Sequence, residues 1–252
     1  MRYKKIMIVT IILTCFLAIS AVSAAENASD DLINTDDASD VVGIEENHAI
    51  EQTEIEEMIG AIDDGTFTAL QNKIDNAAEG STITLENDYA YNKGFKTTGI
   101  EISKPLTIDG NGHALDAKGS SRIFNCIDNK IILKNINFYN ASYMFEGGAI
   151  HSEANLEINN CNFINNRVYY DGTSHTGSDR ISGGAIYSTN NLIVSNCKFN
   201  SNSADMNSFG AYGGAISNKG DGKITNCTFN NNDAGYGYWN DGSGGAIYIT
   251  AI

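Results

Sequence analysis

The sequence predicts an all-β chain folded as a parallel β-helix, a solenoid closed at its N-terminal end by a short capping α-helix. Three observations predict it. Gly-Gly-Ala-Ile occurs four times, at Gly147–Ile150, Gly183–Ile186, Gly213–Ile216 and Gly244–Ile247. Fourteen residues after the start of each of the first three copies comes Cys-x-Phe: Cys161/Phe163, Cys197/Phe199 and Cys227/Phe229. Between these marks apolar residues alternate with period two, as in Leu156/Ile158 and Leu192/Val194, and the units are rich in Asn, Gly and β-branched residues with no 3.6-residue period. A unit of fixed length with inserts of varying length at one point is the mark of a stacked repeat.

The 252 residues include 16 Lys+Arg and 31 Asp+Glu, a formal net charge of −15. That excess argues against a sequence-independent grip on nucleic acid, which needs clustered bases, and against docking on an anionic lipid surface. The 42% hydrophobic content is enough to bury a core, and five Cys are too few for a disulfide scaffold. The charge is unevenly placed. Met1–Lys5 is basic, Ile6–Ala21 is an apolar run and Val22-Ser23-Ala24 supplies small residues for cleavage. Residues 1–25 therefore read as a signal peptide for export, with an uncleaved membrane anchor as the alternative. Membrane contact is expected only through that signal. Residues 26–65 hold 14 acids and no Lys or Arg, and read as a largely disordered spacer. Residues 66–252 hold 13 bases and 17 acids, so the folded body is close to neutral.

Within 66–80, Phe67, Leu70, Ile74 and Ala77 form one apolar helical face, with Gly80 placed to end the helix and Thr68/Gln71 at capping-box spacing. Such a helix is placed to cover the first open edge of the β region. Thr82–Leu85, Ile100–Ile102, Leu106–Ile108, Ile123–Phe124 and Ile131–Phe138 then read as strands.

In each repeat the alternation slips phase at one Asn: Asn160, Asn196 and Asn226. Asn tolerates left-handed geometry, so these residues are expected to bend the chain and to stack along the axis. Cys161, Cys197, Cys227 and Phe163, Phe199, Phe229 should form interior rows beside them. Asn135-Ile136-Asn137-Phe138 repeats the pattern with Ile in the Cys place, which indicates buried apolar cysteines. Disulfides, favoured by export, are the competing reading, although in-register neighbours about 4.8 Å apart with parallel side chains bridge poorly.

The inserts must stack along one edge of the solenoid. They carry Tyr169 and Tyr170, then Phe209 and Tyr212, then Tyr236, Tyr238 and Trp239, among Gly, Ser, Asn and Asp. Aromatics among small polar residues compose adaptable binding surfaces, so these seven are the expected ligand contacts. The alternative is that they fold back over the side of the helix.

No catalytic residue, metal site or cofactor is expected. The Asp-Asp pairs lie in the spacer, Asp109-Gly110-Asn111-Gly112 reads as a turn with a metal or acid/base role for His113 as the alternative, and His151 and His175 lack partners at ligand spacing. Asn27, Asn140 and Asn226 begin Asn-x-Ser/Thr sequons; with Asn226 expected in the stack, Asn27 and Asn140 are the glycosylation candidates.

Gly-Gly-Ala-Ile followed by Phe-x-x-Asn (Phe163–Asn166, Phe199–Asn202, Phe229–Asn232) resembles the repeats of chlamydial polymorphic outer-membrane proteins. Together with the signal, the acidic spacer and Ile108–His113 (Ile-Asp-Gly-Asn-Gly-His), the sequence from Thr66 to Ile252 is similar to adhesin-like surface proteins of methanogenic archaea. The resemblance implies a right-handed β-helix and a non-catalytic role in attachment at the cell surface, to a glycan or protein of another cell. Phe138 departs from the pattern, being followed by Ala141. The sequence stops at Ile252, just inside a new unit, so further repeats or an anchor are expected beyond it. A polysaccharide lyase or glycoside hydrolase on the same scaffold, and a purely structural envelope component, are the alternative readings.

Overall fold

The computed structural model describes residues 63–127, 130–170, 181–205, 210–235 and 244–250. The expected signal peptide, nearly all of the acidic spacer and Asn27 lie outside the described residues. The described chain is a right-handed parallel β-helix with one short helix at its start. Every strand pair in it is parallel and in register, and a parallel strand joined to its neighbour through a crossover takes the right-handed path.

Each turn of the solenoid contributes one strand to each of several sheets. Sheet 1 stacks Thr82–Thr84, Leu106–Asp109, Lys130–Lys134, Asn155–Asn159, Leu192–Ser195 and Gly222–Thr225. Sheet 2 stacks Tyr89–Ala90, Ala114–Asp116, Asn137–Tyr139, Asn162–Ile164, Lys198–Asn200 and Thr228–Asn230. Sheet 3 stacks Ile100–Ile102, Phe124–Cys126, Ile150–Ser152, Ile186–Ser188, Ile216–Asn218 and Ile247–Ile249. Later coils add sheet 4 (Ser142–Met144, Arg167–Tyr169, Ser203–Asp205, Asp233–Ala234) and a two-stranded sheet 5 (Ile181–Ser182, Ala211–Tyr212).

The bends follow the residues that allow them. Between sheets 1 and 2, Asn135, Asn160, Asn196 and Asn226 have φ of 56, 52, 56 and 52°. The expected strand Ile131–Phe138 is accordingly two strands, broken at Asn135. After sheet 2 comes a second left-handed row that period-two alternation did not reveal: Asn140, Asn165, Ser201 and Asn231, at φ 52, 57, 53 and 52°. Two strands also went unread, Tyr89–Ala90 and Ala114–Asp116, because so few residues carry no alternation to detect.

The interior consists of rows of like residues. Phe138, Phe163, Phe199 and Phe229 stack with ring centroids 4.6, 4.7 and 4.8 Å apart and nearly parallel planes. Beside them run Ile108–Leu133–Ile158–Val194 and Leu106–Ile131–Leu156–Leu192, all buried. The described cysteines Cys126, Cys161, Cys197 and Cys227 are free thiols, and the first three are buried. Burial pushes the thiols up, Cys126 to about 12 and Cys161 well above its ordinary value, so both stay protonated and behave as small apolar groups.

A buried polar row runs through this apolar interior. Asn166 Nδ2 donates to Asn202 Oδ1 at 3.0 Å, and Asn202 Nδ2 donates to Asn232 Oδ1 at 2.9 Å. Each amide also takes the backbone N–H of the coil before it and donates to a carbonyl, Phe138 O or Phe163 O. Asn166 and Asn202 are thus fully engaged, the condition for burying them, while half-buried Asn232 ends the row with its Nδ2 donating to Phe199 O. In contrast, Asn160, Asn196 and Asn226 face solvent and pair only along the turn, Asn160 with Asn135 and Asn226 with Asn196.

Helix α1 spans Phe67–Asn76 and closes the first coil, burying Phe67, Ala69, Leu70 and Ile74. Its start is not the expected box. Thr66 is the cap, its Oγ1 accepting from Ala69 N at 3.1 Å, while the hydroxyl of Thr68 accepts from Asn92. Gln71 instead clamps the edge of sheet 3, donating to Glu101 O at 3.0 Å and accepting from Glu101 N at 2.8 Å. The helix ends at Asn76 with Ala77 extended, and Gly80 (φ 72°) sits in the turn beyond, bonded to Pro105 O. Lys104 supplies the C-terminal contacts, reaching Asp75 O and Ala77 O.

Candidate binding surface

The chain after sheet 2 has to return to sheet 3, and the inserts lie on that path. Their roots stack in register: Tyr169 lies between Met144 and Asp205, and Ile181–Ser182 pairs with Ala211–Tyr212. They enclose a second small core of Val168, Ile181, Ala204, Ala211 and Ala234, against which Phe145 and Tyr170 pack.

Paired glycines close the return. A Cβ on Gly184 would run into the carbonyl oxygens of Gly214 in the next coil and Ser203 in sheet 4 of its own coil. In the coil before the first Gly-Gly pair the equivalent position is Arg122, since Ile123 and Phe124 both donate to Ala149 O just as Ala149 and Ile150 both donate to Ala185 O. That earlier coil carries the first strand of sheet 4, Ser142–Met144, and the Arg122 side chain fits beside it by reaching the carbonyls at the start of the next Gly-Gly pair. Arg122 is nearly buried; Nε donates to Gly147 O at 2.9 Å, Nη2 to Glu146 O at 2.6 Å, and the guanidinium lies 3.9 Å from the Tyr143 ring centroid. Desolvation brings its pKa down to about 10, so it stays charged at neutral pH.

Of the seven expected contact residues, Phe209, Tyr236, Tyr238 and Trp239 lie outside the described residues. Tyr212 is only 7% exposed, its ring 4.6 Å from that of Tyr248, and Tyr170 packs on Phe145. Tyr170 packs against the second core and Tyr212 lies against Tyr248 on the side of the solenoid, the placement that the fold-back alternative expects. Tyr169 differs. It stands on the outer face of sheet 4 with Arg167, two residues away on the same side. The two flank an open groove of about 450 Å³, lined also by Gly119, Asn140, Ser142 and Asn165. The Arg167 guanidinium sits 5.1 Å from the Tyr169 ring centroid. An aromatic ring, a cation, carboxamides and a hydroxyl are grouped there on an otherwise neutral body.

Asn140, expected as a glycan site, has its amide engaged. Nδ2 donates to Asp116 Oδ1 at 3.1 Å from a left-handed bend, the same type of placement that removes Asn226 from consideration. A glycan on Nδ2 would cost that bond.

The polar residues upstream are likewise engaged in turns. Asp109 accepts from Asn135, from Asn111 N and from Lys134. His113 Nδ1 lies 3.0 Å from Asp88 Oδ1, which also accepts from Ala114 N; that backbone bond, then His113, hold the Asp88 carboxyl below its ordinary value.

His151 meets an acidic and an aromatic partner. Its Nε2 lies 3.8 Å from Glu146 Oε2, and its ring stacks on Tyr187 at 5.2 Å. Lys219 approaches the other oxygen of Glu146 at 3.9 Å and sits 5.1 Å from the Tyr187 ring. Burial raises the Glu146 carboxyl, but His151, Tyr187 and Lys219 together outweigh it and hold the group ionised. Burial and the nearby carboxylates raise the Tyr187 hydroxyl. Tyr187 and Lys219 come from later coils and meet Glu146 and His151 because His151 and Tyr187 are register partners on sheet 3. Among the described residues no three His, Cys, Asp or Glu side chains group to hold a metal ion.

The Chlamydia polymorphic membrane protein (Chlamydia_PMP) repeat matches residues 226–250. The match runs from Asn226 in the last Asn-Cys-x-Phe through the fourth Gly-Gly-Ala-Ile. No curated protein and no solved structure matches the chain.

Proposed function

We propose that the protein is an exported, surface-associated β-helix that binds a glycan or protein of another cell along its insert edge, without catalysis. The observation that carries the reading is the groove beside sheet 4, where Tyr169 and Arg167 face outward over unspent polar groups at the roots of the inserts. The Chlamydia polymorphic membrane protein repeat at 226–250 supports a place at the cell surface, in line with the resemblance to adhesin-like proteins of methanogenic archaea. The basic-apolar-small sequence of residues 1–25 supports export, and the near-neutral body supports neither nucleic acid nor lipid as ligand.

The test is retention on intact cells and on immobilised glycans. Replacing Tyr236, Tyr238 and Trp239 together by Ala, and separately Tyr169 by Ala, is expected to reduce retention while the β-rich circular dichroism is kept. Full retention by both variants contradicts the reading.

One observation favours a second reading, a polysaccharide-active enzyme. Glu146, His151, Tyr187 and Lys219 supply a carboxylate, an imidazole, a phenol and an amine in contact on the outer side of sheet 3. Against it, Tyr187 is almost wholly buried, which leaves little room for a substrate beside it.

A further inference from the structure

From the groove beside sheet 4 we infer that the ligand is an acidic saccharide, its carboxylate held by Arg167 and its sugar ring lying on Tyr169. The inference rests on the proposed reading of the insert edge and names the ligand class for it.

Among the described residues Arg167 is the only charged residue lining the groove. It is exposed, and no carboxylate among the described residues pairs with it; its side-chain contact is the Tyr169 ring. Its register partners above and below, Ser142 and Ser203, carry no charge, so the cation belongs to this one coil rather than to the repeat. Asp116 on the near side is already engaged, accepting from Asn140 Nδ2 and from Lys118 N. Asp205, beside Tyr169 in register, lies across the ring from the groove lining.

The remaining lining is of the kind that meets hydroxyls. Asn165 is exposed in the left-handed bend, and neither its carboxamide nor the Ser142 hydroxyl bonds to any side chain or backbone group among the described residues. A guanidinium presents a planar fork of donors that a carboxylate meets with two parallel bonds. A tyrosine ring held in place by an arginine supplies a flat apolar platform with little rotamer freedom to lose. A carboxylate next to a ring of hydroxyls, as in a uronic acid residue, satisfies both at once. A neutral sugar leaves the guanidinium unmatched, and a small anion leaves the ring unused.

The test compares polygalacturonate, the same polymer after carboxyl reduction, and dextran sulfate at one ionic strength, using the whole mature protein. Wild type is expected to bind polygalacturonate at least about tenfold more tightly than the reduced polymer, the step that corresponds to one charge-assisted bond. Arg167→Gln is expected to bring the two within about twofold, with the thermal midpoint unchanged. A preference that survives Arg167→Gln overturns the assignment, as does dextran sulfate competing as well as polygalacturonate. Equal binding of acidic and reduced polymer by wild type refutes the acidic ligand while leaving the saccharide reading intact. Failure of every polymer to bind refutes both.

Discussion

The coils before Gly147 and those that begin with Gly-Gly-Ala-Ile share one cross-section and differ at one corner. Both contribute to sheets 1, 2 and 3, and interior rows run through them without a break, from Leu106 to Leu192 and from Phe138 to Phe229. At the corner, the earlier coil places Arg122 and the later ones place Gly148, Gly184 and Gly214. A Cβ at each of the three glycines would strike a sheet 4 carbonyl of its own coil, that of Arg167, Ser203 or Asp233. The Arg122 coil also carries a strand of sheet 4, Ser142–Met144, so the glycines answer to the close approach of backbone at this corner in the later coils, not to the presence of a fourth side. The fourth side roots the inserts and holds the groove.

This comparison can be broken. The largest effect is expected for Phe199→Ala, which removes one ring from a stack buried on both sides and should cost about 3–5 kcal/mol in urea unfolding followed by circular dichroism. Gly184→Ala should cost about 3 kcal/mol by overpacking two carbonyls at once. If it costs no more than Gly80→Ala, where φ is positive and no atom lies within reach, the account of the corner is wrong. Asn202→Ala should cost about 2–3 kcal/mol, because it leaves Phe163 O and Asn166 N buried without partners. Asn160→Ala, on the exposed row, should stay within about 0.5 kcal/mol. Equal losses for these two would show that burial does not separate the rows.

A smaller effect concerns the capped end. Asp63 is held by Lys73 at 2.7 Å, Tyr89 and Asn87. Burial raises its pKa, but those three partners outweigh the burial and leave it below the ordinary carboxylate value. A lowered value contributes stability that is fully present above the ordinary carboxylate pKa and is lost as pH falls through the lowered one. Asp63→Asn should therefore narrow the gap in stability between neutral and acidic solution. An unchanged acid profile would show that the contact contributes nothing. The smallest stability change is expected for Tyr169→Ala, within about 0.5 kcal/mol on an outer face, although it should weaken saccharide binding.

The repeats were legible in the sequence because the inward positions, Ile158, Cys161, Phe163 and their counterparts, recur in identical order, and burial of those positions defines the stack. The bend at Asn160 was legible because alternation slips there. The bend at Asn165 was not, since Asn165 and Asn166 stand side by side and alternation resumes only briefly at Val168. Position three after Phe was noted as a pattern, yet its burial was not readable, because an Asn reads as polar until its partners in adjacent coils are known. The meeting of Glu146, His151, Tyr187 and Lys219 depends on which coils are adjacent and in what register, information that spacing along the chain does not carry. Arg122 was invisible for a related reason: its carbonyl partners at Glu146 and Gly147 belong to the next coil.

The central claim is that this scaffold holds saccharides and does not cut them. Incubating the mature protein with a panel of acidic and neutral polysaccharides, while following both retained protein and newly released reducing ends, tests it most directly. Retention with no release is the predicted result. Release of reducing ends from any retained polymer, lost on replacing His151 or Glu146, would contradict it and move the function to the outer side of sheet 3.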